Sequence, residues 1–179
     1  VMIDMAPYNG GAFGQSGTLS GTINLTTAQR DAILNGSTYL NFHTAASPAG
    51  EMRGQIAPVA MSATISGNNE RPNPVATTGT ASGTFALVRD QLTLAITYKG
   101  LSGAATASHI HGPAGLTGSA GVLVGLDAYN GGAYSSSGGL SGTTPLTVSQ
   151  LLGIIDGLTY VNFHTAANGG GEIRGHIFR

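Results

Sequence analysis

The sequence predicts an all-β protein: an antiparallel β-sandwich or Greek-key barrel repeat with one short helix per unit. Composition is the first reason, because 41% of the 179 residues are hydrophobic, 29 are glycine and only 8% are charged. This balance is too apolar for a disordered chain and favours short strands joined by turns. The second reason is that apolar and hydroxyl-bearing side chains alternate in segments such as Met61–Gly67, which is the period of a half-buried strand. The third reason is an internal repeat.

The internal repeat has an offset of 121 residues, since His43 and His164 occupy the same place in matching motifs (164 − 43 = 121). Such self-similarity marks a duplicated structural unit. The matching motifs are Leu40–Ala46 with Gly50–Gly54 in the first copy and Val161–Ala167 with Gly171–Gly175 in the second. Because the first residue of the chain matches a position inside a repeat, two domains are predicted. Residues 1–60 are the C-terminal half of one repeat, and residues 61–179 are a complete repeat.

The complete repeat is predicted to form several short strands and one short helix. Each strand is an apolar–polar alternation bounded by turn-forming residues. The predicted strands are 61–67, 79–88, 91–98, 105–111, 122–126, 140–144, 159–164 and 171–178. The helix follows Thr147–Gln150, a capping-box sequence, and ends near Gly157. The equivalent Thr26–Gln29 and Gly36 predict the same helix in the half repeat.

Three separated motifs give the sequence a family resemblance. In order along the chain they are Ser108–Ala114, Tyr160–Thr165 and Gly171–Gly175. Together they resemble the CHRD domain, which is named from chordin and widespread in microbial extracellular proteins. The resemblance covers residues 61–179, and residues 1–60 resemble the second half of the same domain. It implies an all-β module, secreted or attached to the cell surface and often present in tandem, and it implies no established catalytic activity.

Three histidines form a candidate metal site. His109 and His111 are two residues apart on one predicted strand. Both side chains therefore lie on the same face, and their Cα atoms are about 6.5 to 7 Å apart. His164 lies on another predicted strand and is the candidate third ligand, and imidazole ligands of this kind suit copper or zinc. His176 and His43 are further candidate ligands. The His-x-His pattern is also similar to that of Cu,Zn superoxide dismutases, although likeness between folds does not establish function.

The alternative is that these histidines serve only the fold. In that case His109 and His111 hold the Gly112–Pro113 turn, and His164 bonds the backbone of the loop 165–171. Both interpretations stay open, so copper or zinc is a candidate cofactor and no cofactor is certain. No Ser or Cys nucleophile motif accompanies the histidines. We therefore assign no catalytic residue, and the sequence favours a protein that is not an enzyme.

Four charged residues form two matching Glu-x-Arg pairs, Glu172 with Arg174 and Glu51 with Arg53. Residues two apart on a strand share a face. In a chain with so few charges, each pair is predicted to be a structural ion pair that holds the last strand of its unit. Recognition of a ligand is the alternative.

Composition disfavours several classes of partner. The seven Lys and Arg residues are scattered and the net charge is −1, so we predict no nucleic-acid partner. The absence of cysteine excludes disulfides and thiolate ligands. No segment has the roughly 18 consecutive apolar residues of a membrane span.

Two functions are predicted as alternatives. The first is an extracellular structural or interaction module, secreted or at the cell surface, that assembles into a matrix, surface layer or fibre. The half repeat at residues 1–60 favours this function, because its exposed strand edges need a homo-oligomeric partner or a neighbouring repeat to complete them. The second is a copper- or zinc-binding metalloprotein, for which an activity like that of superoxide dismutases is conceivable.

Overall fold

The computed structural model describes residues 1–56 and 59–179 of the chain. The chain divides into two compact units, Val1–Ile56 and Ala57–Arg179, which are named here the N-terminal unit and the C-terminal unit. The half repeat predicted at residues 1–60 includes Ala57 and Pro58, and these two positions lie outside the described residues.

The N-terminal unit has one α-helix and one β-hairpin. Its elements are a 3₁₀ turn at Ala6–Tyr8, helix α1 at Thr27–Leu34, strand β1 at Tyr39–Phe42 and strand β2 at Met52–Gln55. The two strands pair antiparallel, with Asn41 opposite Arg53. Helix α1 begins at the predicted capping box, in which Thr26 Oγ1 accepts from the backbone N–H of Gln29 and the Gln29 side chain accepts from that of Thr26.

The C-terminal unit is one antiparallel sheet of eight strands with one α-helix. Its strands are β3 (Val59–Ser66), β4 (Thr80–Val88), β5 (Gln91–Lys99), β6 (Ala105–His111), β7 (Val122–Gly125), β8 (Gly138–Pro145), β9 (Tyr160–Thr165) and β10 (Ile173–His176). Helix α2 is Val148–Ile155, and 3₁₀ turns lie at Gly67–Asn69 and Asp127–Tyr129. The strand order is β7-β6-β9-β10-β3-β4-β5-β8, and the sheet curls into a half-barrel. The predicted all-β class with one short helix per unit is confirmed. No helix in the described part of the chain is both long and apolar enough to cross a membrane.

The core of the C-terminal unit follows the predicted alternation. In β3, Met61, Ala63 and Ile65 are buried, whereas the serine and threonine between them are exposed, and β4 and β5 alternate in the same way. Strands β9 and β10 differ, because nearly every residue of both is buried. Both faces of this pair are therefore covered, and the polar side chains that they carry lie inside the unit.

The sheet of the C-terminal unit combines strands from two parts of the chain. The first-half segment, residues 59–121, supplies β3 to β6, and the second-half segment, residues 122–179, supplies β7 to β10. The segments meet at four junctions: β7 with β6, β6 with β9, β10 with β3, and β5 with β8. Each segment therefore depends on the other for most of its strand pairing.

The N-terminal unit repeats the second-half segment but lacks two of its strands. With the offset of 121, residues 1–4 match β7 and residues 17–24 match β8, and neither stretch is in a strand. The partners of β7 and β8 are β6 and β5, which belong to the first-half segment. Residues 1–56 contain no counterpart of that segment. Within these residues the two stretches therefore have no neighbouring strands with which to pair.

Candidate metal centre

Three histidine rings converge at the junction of β6 and β9. His109 and His111 lie on β6, and His164 lies on β9 opposite Ala107. Nδ1 of His109 is 3.2 Å from Nε2 of His164, and one nitrogen from each of the three rings lies within 4.8 Å of the others. The junction therefore brings together the three candidate ligands, two from the first-half segment and one from the second.

Backbone carbonyls fix the orientation of two of the rings. The Nδ1–H group of His111 donates to the carbonyl of Ala120 at 3.0 Å, and that of His164 donates to the carbonyl of Gly169 at 3.1 Å. Histidines with a purely structural role make hydrogen bonds of the same kind. Each bond uses one of the two nitrogens of its ring. The two bonds leave both Nε2 atoms without a proton: that of His164 faces Nδ1 of His109, and that of His111 is buried without a hydrogen-bond partner. In metal sites, a second hydrogen bond of this kind selects the tautomer that binds the ion.

The surroundings of His111 and His164 disfavour the charged form of these two rings. Burial is the main cause that lowers the pKa of His111, and nearby His109 and His164 lower it further. Burial also lowers the pKa of His164, with His109 acting in the same direction. The causes are that a buried cation loses hydration and that positive charges repel. Both rings are therefore neutral at pH 7, which is the form that binds metal.

Tyr160 lies between His111 and Arg174. Its ring is stacked on that of His111, with centroids 5.1 Å apart and 7° between the planes. The Cζ atom of Arg174 lies 3.5 Å from the centroid of the Tyr160 ring, in a cation–π contact. The Tyr160 hydroxyl accepts from the backbone N–H of Ala120 at 3.1 Å, next to the carbonyl that orients His111. Tyr160 thus holds both the ring and the loop of one candidate ligand.

The other two candidate ligands have partners of their own. His176 accepts a hydrogen bond from Arg174 at 3.1 Å through Nε2, and its ring lies 5.5 Å from that of Tyr160. His43 belongs to the N-terminal unit, where it is exposed and its Nδ1–H donates to the carbonyl of Pro48 at 3.0 Å. The structure therefore groups three of the five histidines.

Glu172 is bound by hydroxyl groups rather than by a cation. Its Oε1 accepts from Thr77 Oγ1 at 2.6 Å and from the Ser102 N–H at 2.8 Å. Its Oε2 accepts from Ser102 Oγ at 2.5 Å and from Thr165 Oγ1 at 2.7 Å. Burial alone would raise the pKa of Glu172, but these hydrogen bonds outweigh burial and lower the pKa to about 2.

The predicted ion pairs are wrong in both units. Among the described residues, the salt bridge present joins Arg30 and Asp31. In the C-terminal unit the two residues have separate partners: Glu172 accepts from hydroxyl groups, whereas Arg174 donates to the carbonyl of Gly118 and to His176. In the N-terminal unit, Glu51 accepts from a threonine hydroxyl, and the Arg53 guanidinium lies 3.6 Å from the centroid of a tyrosine ring.

Two buried polar residues near the cluster were not predicted as site residues. Oδ1 of Asn162 and Oε1 of Glu70 have no hydrogen-bond partner, and both lie where a side chain at Gly171 would stand. Burial raises the pKa of Glu70 to about 7, although the charge of Arg174 acts in the opposite direction. Alternation along β9 places Asn162 on the face of His164, so the sequence held the signal for Asn162. Glu70 follows a loop, and nothing in the pattern places it there.

Comparison with known proteins gives one match. A family model for the CHRD domain matches residues 3–56 and residues 61–177. This confirms the resemblance carried by the three sequence motifs, and the two matched ranges agree with a repeat. The match supports an extracellular-type β module. Searches of curated proteins and of solved structures found no match to the chain.

Proposed function

The chain belongs to the CHRD domain family, and we propose that it is a secreted or cell-surface β module that binds one copper or zinc ion in its C-terminal unit. The ligands are His109, His111 and His164. One observation carries the proposal: three ring nitrogens converge within 4.8 Å, and one of them, Nε2 of His111, is buried with no other partner. A buried polar atom without a partner has lost its hydrogen bonds to water, so binding a ligand is favourable for it.

The geometry of the cluster suits a small cation. In a tetrahedral site with metal–nitrogen distances of about 2.0 to 2.1 Å, ligand nitrogens are about 3.3 Å apart. The 3.2 Å between His109 and His164 is already near that value. Without metal, the Nδ1–H group of His109 donates to His164; for Nδ1 to bind the ion, His109 takes the neutral tautomer that carries its proton on Nε2. Copper and zinc are the ions that imidazole nitrogens favour here, since the chain has no cysteine.

The position of the site suggests what the ion does. His109 and His111 belong to the first-half segment and His164 to the second, so the ion ties together two segments that share one sheet. An ion that binds the folded state but not the unfolded chain stabilises the fold by about 2.7 kcal/mol at 100 times its Kd. The proposed role is therefore structural.

Titration calorimetry of the metal-free chain with copper and with zinc tests the proposal. We expect one site per chain, lost in His111→Ala and in His164→Ala. The matched control is His43→Ala, because His43 is exposed in the other unit and its replacement should leave one site. A folded chain that takes up neither ion at micromolar concentration contradicts the proposal. Superoxide dismutation by the copper-loaded chain tests the redox alternative.

Assembly into a matrix, surface layer or fibre is the second candidate function. It is favoured by the apolar side chains that the hairpin of the N-terminal unit exposes, among them Tyr39, Leu40 and Met52. Exposed apolar strands are sites of association. Electron microscopy and sedimentation over a range of concentrations test it. Ordered polymers support it, and a chain that stays monomeric at high concentration contradicts it.

A further inference from the structure

We infer that the proposed metal ion keeps one open coordination position, and that small anions bind there in exchange with water. The opening lies beside His109 and His164, on the side of the cluster that faces β7. This inference rests on the proposed function, because the anion binds to the ion itself. It adds the binding of a small-molecule class to the structural role of the ion.

The cluster supplies fewer ligands than the ion accepts. One nitrogen from each of His109, His111 and His164 lies within 4.8 Å of the others, and no further histidine or carboxylate of the described residues belongs to this group. Zinc takes four ligands in tetrahedral sites, and copper(II) takes four in square-planar ones. Structural zinc sites fill all four positions with protein groups, whereas sites with three protein ligands hold water or a substrate in the fourth. The protein therefore leaves one position unfilled.

The exposure of the rings shows where this position opens. His111 is 9% exposed, whereas His109 and His164 are only half-buried. Gly125 on β7 is directly opposite His109, and Ala107 on β6 is opposite His164. Directly opposed residues of neighbouring strands share a face, so on this side one ring has no side chain beside it and the other has a single methyl group. A Cβ added at Gly125 would meet nothing within 4 Å, so the space beside His109 is open.

The His111 side of the cluster is closed. The carbonyl of Ala120 accepts from Nδ1–H of His111 at 3.0 Å, and the N–H of Ala120 donates to the Tyr160 hydroxyl at 3.1 Å. The Tyr160 ring covers one face of the His111 ring. A fourth ligand therefore reaches the ion from the side of His109 and His164.

Asp127 is a carboxylate near this opening, but other groups already bind it. It follows β7, and its Oδ1 accepts from the backbone N–H of Ser108 at 3.1 Å and from the Tyr134 hydroxyl at 2.8 Å. Ser108 immediately precedes His109 in β6. These two hydrogen bonds hold the carboxylate outside the group of nitrogens, so the fourth position stays free for a molecule from solution.

Charge selects the kind of molecule that binds. The three ligands are imidazoles in their neutral form, and the chain has no cysteine to supply a thiolate, so a divalent ion at the site keeps both positive charges. Attraction between this ion and an anion is stronger in a partly buried site than in water. Arg174 adds a positive charge behind the Tyr160 ring, whereas Asp127 is exposed and its charge is screened by solvent. The open position therefore favours an anion over water.

Azide binding to the copper-loaded full chain tests the inference. The chain carries His43→Ala, so that the exposed histidine of the N-terminal unit contributes no copper. It is titrated with sodium azide at constant ionic strength, with sodium perchlorate as the weakly coordinating control salt. We expect a charge-transfer absorption band and a changed electron paramagnetic resonance spectrum that saturate at one azide per copper. Elemental analysis after the titration should show that the copper stays bound.

Gly125→Leu is the decisive variant, because its side chain fills the space beside His109 and leaves all three ligands in place. It should weaken azide binding about tenfold or more and change copper affinity by less than about threefold. Gly54→Leu is the matched control, since Gly54 also lies in a strand and an added Cβ there also meets nothing within 4 Å. It should leave both affinities unchanged. Asp127→Asn should change azide affinity by less than about threefold.

The outcomes separate this inference from the proposed function. A folded chain that takes up no copper overturns both. Bound copper whose spectra azide does not change overturns the open position alone and leaves the metal site standing. Azide binding that Gly125→Leu leaves intact overturns the placement of the opening. Azide binding that appears only in Asp127→Asn would make Asp127 the fourth ligand and overturn the inference.

Discussion

Nδ1 of His109 and Nε2 of His164 lie 3.2 Å apart across the junction of β6 and β9. The two residues belong to different halves of a repeat, and both halves contribute strands to one sheet. A metal ion bound by both rings would therefore link the two halves of the repeat. The candidate metal site is thus part of the way in which this fold is assembled.

Metal should stabilise the C-terminal unit. Since the ligands converge only in the folded sheet, zinc at 100 times its Kd should raise the free energy of unfolding by about 2.7 kcal/mol. Thermal unfolding with zinc and with a chelator measures the effect. The increase should vanish in His164→Ala and persist in His43→Ala. An equal increase in wild type and His164→Ala would place the ion elsewhere.

Acid should weaken the metal-free fold through the histidine cluster. The folded-state pKa values of His111 and His164 are lowered, so the unfolded chain binds protons first. The contribution of the two rings to stability is therefore lost as the pH falls below about 6.5. Glu70 acts the opposite way, because its raised pKa of about 7 favours the folded state as the pH falls. The test is thus a difference between wild type and a His111→Gln, His164→Gln variant.

Urea unfolding of both proteins without metal at pH 7.5 and pH 5.5 measures this difference. Wild type should lose more stability than the variant over that interval, while the contribution of Glu70 cancels. Equal losses in the two proteins would mean that the rings do not titrate as their burial requires.

Glu172→Gln should destabilise the C-terminal unit at neutral pH by about 3 kcal/mol. This is the free energy that corresponds to lowering the pKa of Glu172 from 4.5 to about 2. The reason is that three hydroxyls, one backbone N–H and the Asn168 side-chain amide donate to the carboxylate, and the pKa is lowered to about 2. A lowered pKa contributes stability above about pH 4.5, and this stability is lost as the pH falls toward 2. Denaturant unfolding at pH 7 and pH 3 should therefore show a smaller cost at the lower pH. Glu51→Gln, the exposed counterpart, should change stability by less than about 0.5 kcal/mol. Equal costs for the two variants would contradict the network.

Gly175→Ala should cost about 3 kcal/mol or more, because the new Cβ overlaps the β3 backbone and the core cannot relax around it. Gly54→Ala should leave the chain as stable as wild type. Melting temperatures of the two variants provide the comparison. A tolerated Gly175→Ala would mean that β3 and β10 are not held as closely as the structure shows.

Local sequence patterns predicted the strands and helices well. The alternation in Met61–Gly67 and the capping box at Thr147–Gln150 both act within a few residues, so they are legible in sequence. The histidine cluster was also predictable, since His109 and His111 share a face of one strand. Pairing of β6 with β9, which brings in His164, follows from the fold and not from spacing.

The failures concern residues whose partners are distant. Glu172 is 70 residues from Ser102 and 95 from Thr77, and no local pattern identifies those donors. The Glu-x-Arg spacing therefore predicted an ion pair that does not form. Burial of Asn162 was not predicted for a related reason, because Glu70, which lies beside it, is distant in sequence.

Elemental analysis of the purified, folded chain for copper and zinc tests the central claim most directly. We predict about one ion per chain in wild type and none in His111→Ala, with circular dichroism showing that both are folded. Folded wild type without either ion after exposure to both, or His111→Ala with as much metal as wild type, would contradict the account.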